Sequence, residues 1–557
     1  MFLLKDPVIA LFVCLGLGHL IGRIRVGPVV LGGVCGTLFV ALAIGQMGVT
    51  ISPHLKDTAF ALFIYALGFS AGPQFFSNIR GGWRYGIFSF IEVICVLGLV
   101  AGATVLFDFD AGTSSGLFAG AATESAVLGT ASEALGRLPL AETEILRLQA
   151  NAATAYSLTY LFGLVAIVVF TTQIAPIILR VDLRKEATAL AAQLGEDEEG
   201  ADQPDALPTF VGRVFRAGPA AGKSIADFEL SRGSTVFIER LKRGDDLLQP
   251  PKDFVIDADD LLFLHGRRSA MISIETVVGP EQPVPSDVSI PLARQQVVVQ
   301  RKEIAGMRVR DLRAVAPAEL SRGLFVESVR RMGHTIPALP KTRLQEGDVL
   351  TLYGPQTAVS RAVKELGAAV RSEEATDLVF LGIGILVGLL LGRLSLDVAG
   401  MTLTLGTGGG ALIAGLVFGW LNMRQPRHGN LPVAAASFMK DFGLATFIAA
   451  IGLSAGPDAV ALVMKYGLIL PVLGILVSTI PAFVSLLVGW KLMKIEIPIL
   501  LGIIAGQHCS TPTISALVAQ SGNSTPVIGY TVTYAISNVL LPLLGPVVVG
   551  LSNIFIQ

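Results

Sequence analysis

The sequence predicts an all-α polytopic membrane protein: two inverted repeats, each of five crossing helices plus a re-entrant hairpin, around a central α+β soluble insert. Three observations carry this reading. Only 15% of the 557 residues are charged and the mean hydropathy is +0.66, whereas a soluble chain usually carries about 25% charge. Two blocks of apolar segments flank a charged middle. The landmarks of the first block also recur, in the same order, in the second. A net charge of −1 gives no electrostatic case for nucleic acid.

A helix needs about 20 mainly apolar residues to cross a bilayer. That criterion yields segments at 6–23, 26–46, 57–76, 84–107, 113–135 and 149–179, then at 376–393, 397–421, 436–455, 463–490, 497–519 and 525–555. The first is read as a transmembrane helix rather than a removed signal peptide, because Gly22-Arg-Ile-Arg25 leads straight into another apolar run. Cys14, Cys35, Cys95 and Cys509 lack metal or disulfide spacing and read as small apolar filler. Residues 1–181 and 373–557 are the two membrane repeats, 182–207 an acidic linker, and 208–285 and 286–372 two soluble modules.

The duplication rests on four landmarks. Phe63-Ile64-x-Ala66-x-Gly68-x-Ser70-Ala71-Gly72-Pro73 recurs as Phe447-Ile448-x-Ala450-x-Gly452-x-Ser454-Ala455-Gly456-Pro457. Gly18-x-x-x-Gly22-Arg23 recurs as Gly388-x-x-x-Gly392-Arg393, Ala119-Gly120 as Ala505-Gly506, and Tyr156-x-x-x-Tyr160 as Tyr530-x-x-x-Tyr534. Basic residues (Arg23/Arg25, Arg80/Arg84, Arg180/Arg184/Lys185, Arg424/Arg427 and Lys491/Lys494) then set the orientation. Keeping them inside puts both termini in the periplasm and the insert in the cytoplasm of a bacterial inner membrane. Trp83, Trp420 and Trp490 then fall near the cytoplasmic interface. Parity demands one non-crossing segment per half, and the polar fifth segments, 113–135 and 497–519, are the candidates.

Those segments hold the candidate site. Gly120-Ala-Ala-Thr123-Glu124-Ser125-Ala126 and Gly506-Gln507-His508-Cys509-Ser510-Thr511-Pro512-Thr513 occupy matching places in the two halves, and the functional reading is a substrate site where the two hairpin tips meet. Helix breaks survive in a bilayer only inside protein or beside water, and the N-terminus of a broken helix suits a carboxylate. Hydroxyls of Ser125, Ser510 and Thr511 add donors; close helix packing by small residues is the competing reading. Ser70-Ala-Gly72-Pro73 and Ser454-Ala-Gly456-Pro457 read as helix ends, and equally as hinges or cavity linings. Tyr156, Tyr160, Tyr530 and Tyr534 either present hydroxyls to a cavity or pack. The intramembrane ionisable groups are His19, Glu92, Glu124, Asp441 and His508, and Glu124 stands out as a site for a coupling proton or a substrate ammonium. There is no phosphate-cradling Gly-x-x-x-x-Gly-Lys-Ser/Thr motif, which argues against direct ATP drive, and no hydrolytic or redox constellation, so no cofactor and no enzyme activity are expected.

The insert is itself duplicated: Leu230-Ser231-Arg232-Gly233 recurs as Leu320-Ser321-Arg322-Gly323, and Asp259-Asp260-Leu-Leu-Phe-Leu-His-Gly266 as Gly347-Asp348-Val-Leu-Thr-Leu-Tyr-Gly354. Each copy resembles a TrkA C-terminal domain, a ligand-sensing or dimerising module, which implies a small-molecule effector. The whole chain resembles the aspartate:alanine exchanger family, through the order of its parts, the paired Ser-Ala-Gly-Pro motifs, and Cys509-Ser510-Thr511-Pro512 in the place of the family's Thr-Ser-Thr-Pro signature. Thr123-Glu124-Ser125-Ala126 departs from that signature by carrying Glu and lacking Pro. The resemblance implies a homodimeric, elevator-type antiporter of small carboxylates, aspartate against alanine, with substrate contacts at Ser70, Gly120, Thr123, Glu124, Ser125, Tyr156, Ser454, Gly506, Cys509, Ser510, Thr511, Pro512 and Tyr534. A dicarboxylate exporter of the succinate type and a cation channel gated by the soluble modules are the alternatives; no selectivity-filter sequence favours the channel.

Overall fold

The computed structural model describes residues 5–26, 29–30, 32–81, 83–194, 210–231, 236–272, 274–284, 292–301, 303–312, 323–331, 334–336, 338–370, 375–398, 401–424 and 429–556. Arg427, Arg232-Gly233 and Leu320-Ser321-Arg322 lie outside the described residues, as do the side chains of Trp83, Arg80 and Pro457. The chain divides into a helical unit, 1–190 with 372–557, and a second unit, 191–371.

The helical unit repeats one element order. Helices Pro7–Gly22, Gly33–Gly45, Pro53–Gly81, Trp83–Phe107, Ala111–Ala121, Ser125–Leu135 and Glu142–Val169 are matched by Leu378–Leu391, Gly406–Arg424, Val433–Tyr466, Ile469–Leu487, Ile497–Gln507, Thr511–Ser521 and Thr525–Leu543. Among the described residues six helices are long and apolar enough to cross a bilayer, three from each half. The second segment of each half differs from the sequence expectation. A two-stranded antiparallel hairpin, Arg25–Val26 with Val29–Val30 and Ser395–Val398 with Met401–Thr404, occupies the predicted starts of the second segments. Large apolar side chains on the long helices stay exposed, Ile94 at 69% and Leu106 at 75%, as lipid-facing positions do.

The two Ser-Ala-Gly-Pro motifs are not helix ends. Pro73 sits inside Pro53–Gly81, and Pro457 inside Val433–Tyr466. A proline cannot donate to the carbonyl four residues back, which leaves those of Phe69 and Leu453 short of a helical partner. Each freed oxygen is met by a glycine of the other half: a methyl group at Gly419 would overlap the Phe69 oxygen, and one at Gly45 the Leu453 oxygen. Backbone packs on backbone, which keeps water and lipid from the freed carbonyl. The Ser70 and Ser454 hydroxyls donate to their own helices, at Ala66 (2.9 Å) and Ala450 (3.1 Å).

The second unit holds two five-stranded antiparallel sheets of identical order. In each, the aspartate that precedes the fourth strand is clamped by an arginine, Arg243 on Asp260 and Arg331 on Asp348, both with 2.7 Å contacts. Asp260 and Asp348 also accept the backbone N–H of Asp257 and Gln345, at 2.8 Å each. Phe237 and Phe325 pack edge-to-face at 5.6 Å and join the two copies. Residues Leu183–Leu194, assigned from sequence to the linker, form a helix.

Replacing Gly419 by Ala is expected to lower the thermal midpoint of the detergent-solubilised protein, since overpacking costs about 1–3 kcal/mol. Gly98→Ala, where a methyl group meets open space, is expected to leave it unchanged or raise it. Equal midpoints for the two variants would contradict the backbone-on-backbone contact.

Candidate functional site

Each predicted polar cluster is a helix break. Ala111–Ala121 ends in a left-handed residue, Thr123 at φ 52°, and Ile497–Gln507 ends the same way at Cys509, φ 50°. The closing hydrogen bonds are those of a Schellman cap. Glu124 N–H donates to Ala119 and Thr123 N–H to Gly120; Ser510 N–H donates to Ala505 and Cys509 N–H to Gly506, all at 3.0–3.1 Å. Glycine is usual at the left-handed position, and a side chain there is uncommon and costly. Strain of this kind gathers at functional sites.

The residue after each left-handed one starts the next helix. Glu124 accepts the Ala126 N–H at 3.0 Å and caps Ser125–Leu135; Ser510 accepts the Thr513 N–H at 3.3 Å and caps Thr511–Ser521. The two breaks touch, because the Thr123 hydroxyl donates to the His508 carbonyl. The Cys509 side chain interacts electrostatically with the Glu124 carboxylate. A tyrosine closes each side: Ser125 Oγ lies 2.6 Å from the Tyr156 hydroxyl, and Thr511 Oγ1 lies 3.5 Å from that of Tyr530. Tyr534 stacks on Tyr530 at 4.9 Å and also interacts with Thr511. Two helix N-termini, two hydroxyl–tyrosine pairs and one carboxylate thus meet, with Glu124 only 5% exposed.

Thr123, Glu124, Ser125, Tyr156, Cys509, Ser510, Thr511 and Tyr534 are therefore brought together, with Pro512 in the first turn of Thr511–Ser521. Gly120 and Gly506 serve approach instead: a methyl group at Gly120 would overlap Thr159 Oγ1 and one at Gly506 Thr533 Oγ1. Ser70 and Ser454 lie in the mid-helix crossing described above, their hydroxyls bonded to their own helices. Four residues of the neighbourhood were absent from the predicted site. Tyr530, not Tyr534, is the repeat mate of Tyr156, as the matching landmark spacing signals. Gln507 accepts from Ser485 Oγ at 2.9 Å, and His508 lies 2.8 Å from Glu92; Glu92 and His508 were flagged only as intramembrane ionisable groups.

Cys509→Gly is expected to raise thermal stability, because it removes a left-handed side chain that costs roughly 1–2 kcal/mol. Cys509→Val is expected to lower it. A fall in midpoint for Cys509→Gly would show that the thiol contact with Glu124 outweighs the backbone cost.

Comparison with known proteins agrees with this architecture. The model for a predicted permease membrane region, that of the aspartate:alanine exchangers, matches residues 10–176 and 380–550, and the TrkA-C domain matches 215–279 and 295–367. Among curated relatives, an uncharacterized transporter of Zymomonas mobilis is 38% identical over 98% of both chains. One of Bordetella parapertussis is 36% identical over 98% of this chain and 96% of its own, and one of Francisella tularensis is 32% identical over 99% and 98%. No solved structure matches the chain. The chain belongs to the aspartate:alanine exchanger family of membrane permeases and is a transporter, not an enzyme, with two TrkA-C domains between its membrane halves.

Proposed function

We propose that the protein is a secondary-active antiporter of small carboxylates, exchanging L-aspartate for L-alanine at the two joined breaks. The observation that supports this most is the meeting of the N-termini of Ser125–Leu135 and Thr511–Ser521 beside Glu124. Each N-terminus carries roughly half a positive charge on its first-turn amides, which fits one carboxylate of aspartate apiece. Glu124 fits the ammonium group, and this favours an amino acid over a dicarboxylate such as succinate. The hydroxyls of Ser125, Ser510 and Thr511, held by Tyr156, Tyr530 and Tyr534, complete the contacts.

In this reading the halves lie inverted, each with a re-entrant fifth segment. The reciprocal contacts of Gly45 with Leu453 and Gly419 with Phe69 support a two-fold relation. The termini are periplasmic, the TrkA-C domains cytoplasmic and open to a small-molecule effector, and the chain works as a homodimer by an elevator-like motion in a bacterial inner membrane.

Purified protein in vesicles loaded with radiolabelled L-aspartate tests the reading. External L-alanine or L-aspartate is expected to accelerate efflux, and Glu124→Gln to slow that exchange about tenfold, a loss of ~1.4 kcal/mol in transition-state stabilisation. Acceleration by succinate alone would favour the dicarboxylate exporter. Conductance without exchange would replace the antiporter with a channel.

A further inference from the structure

A buried acid–imidazole pair stands behind the second break, outside the proposed carboxylate contacts. Glu92 lies on Trp83–Phe107, and His508 caps Ile497–Gln507; both are 0% exposed, with His508 Nδ1 2.8 Å from Glu92 Oε1. The approach is off the line of a hydrogen bond, so both oxygens of Glu92 and both ring nitrogens of His508 remain without a hydrogen-bond partner. A lone charge so deeply buried costs several kcal/mol. The pair therefore rests in forms whose charges cancel, carboxylate with imidazolium or carboxylic acid with neutral imidazole, and each form holds one shared proton. A second proton makes the pair net positive.

The surroundings favour that step only when an anion is near. Cys95, on the same helix, and Cys509, in the break, interact electrostatically with Glu92. Glu124 reaches Cys509, Tyr530 and Tyr534, and Lys440 acts on Glu124. Pro53–Gly81 brings Tyr65 in its middle and His54, Lys56 and Asp57 towards its start. Ala111–Ala121, Ile469–Leu487, Ile497–Gln507 and Gly545–Ile556 carry no ionisable side chain. The first break shows that the repeat does not require such a pair for packing: there Ile469–Leu487 makes a neutral contact, Ser478 Oγ donating to the Ala121 carbonyl at 2.7 Å. The backbone of His508 is also the joint between the breaks, since its carbonyl accepts from Thr123.

We propose that Glu92 and His508 form a proton-binding site linked to the second break, taking up a proton when the second carboxylate of aspartate, the one that alanine lacks, binds there. Linkage makes the effect reciprocal: the anion raises proton affinity and the proton raises anion affinity by the same factor. The proposal rests on the carboxylate reading of the break, and the test lets the two fail separately.

Full-length protein is reconstituted in vesicles with a luminal pH dye, and L-aspartate binding and its exchange for L-alanine are followed from about pH 8 to about pH 5.5, the range in which histidine titrates. Wild type is expected to bind aspartate more tightly as pH falls, approaching tenfold per pH unit where one proton accompanies one anion, with a luminal pH change during exchange. The double variant Glu92→Gln/His508→Gln is expected to lose both. A double variant with the wild-type pH slope overturns the proposal, and so does wild-type exchange without proton movement, which needs no variant to fold. If wild type moves no aspartate, the antiporter reading fails by itself. Methanethiosulfonate labelling of Cys509, in a Cys14→Ala/Cys35→Ala/Cys95→Ala background, then decides the pair: pH profiles that differ with and without the double substitution support it, and coincident profiles refute it.

Discussion

Everything in the membrane unit depends on one constraint: backbone groups released by a broken helix must find partners within the protein. In hydrocarbon each unpaired amide or carbonyl costs several kcal/mol, so an interrupted helix is stable only when something closes it. Here each break closes itself first, through the paired bonds to Ala119 and Gly120 and to Ala505 and Gly506. The breaks then close each other, through the Thr123 hydroxyl on the His508 carbonyl. Having both interruptions in contact is what gives the fold a polar centre.

The same constraint explains the crossing between the halves. Pro73 and Pro457 would be poor choices in helices facing lipid, because each frees a carbonyl one turn back. Opposite each freed oxygen the other half supplies a glycine, Gly419 or Gly45. The carbonyl is thereby enclosed by protein, and the proline persists inside a continuous helix. The contacts are reciprocal: an element of one half meets the partner element of the other, and the converse also holds.

This also shows what the sequence could and could not reveal. The breaks were legible because small polar residues interrupt otherwise apolar segments at matching places, and no soluble-protein packing rule calls for Glu124 or Pro512 there. The aspartates of the two clamps, Asp260 and Asp348, fall within the repeated closing motif of the insert, so the duplication itself was readable there. The Ser-Ala-Gly-Pro motif was misread as a helix end because local chemistry, a glycine before a proline, usually stops a helix; only a distant glycine against the freed carbonyl reverses that. The starts of segments 26–46 and 397–421 read as helix because Val29–Val30 is apolar and Met401 and Leu403 carry apolar character into the next segment, and hydropathy alone does not separate a short hairpin from a helix. The Glu92–His508 contact joins the two halves, and no periodicity in one sequence reports a contact between them.

The two breaks are alike in backbone and unlike in freedom, and this bears on how a carrier built on them would move. Ser125–Leu135 is almost wholly buried and is tied to the other half, by Thr130 Oγ1 on the Pro542 carbonyl at 2.7 Å and by Glu133 on the Gly408 N–H at 3.0 Å. Thr511–Ser521 leaves Thr511, Ser515, Ala519 and Gln520 exposed. Local stability follows buried contacts, so the less buried segment opens at lower cost. A carboxylate held between the two N-termini would thus be gripped by one fixed wall and one that yields. The imidazole of the acid–imidazole pair, His508, is covalently part of the break that leads into the yielding wall, where a change of charge has the shortest path to a change of shape.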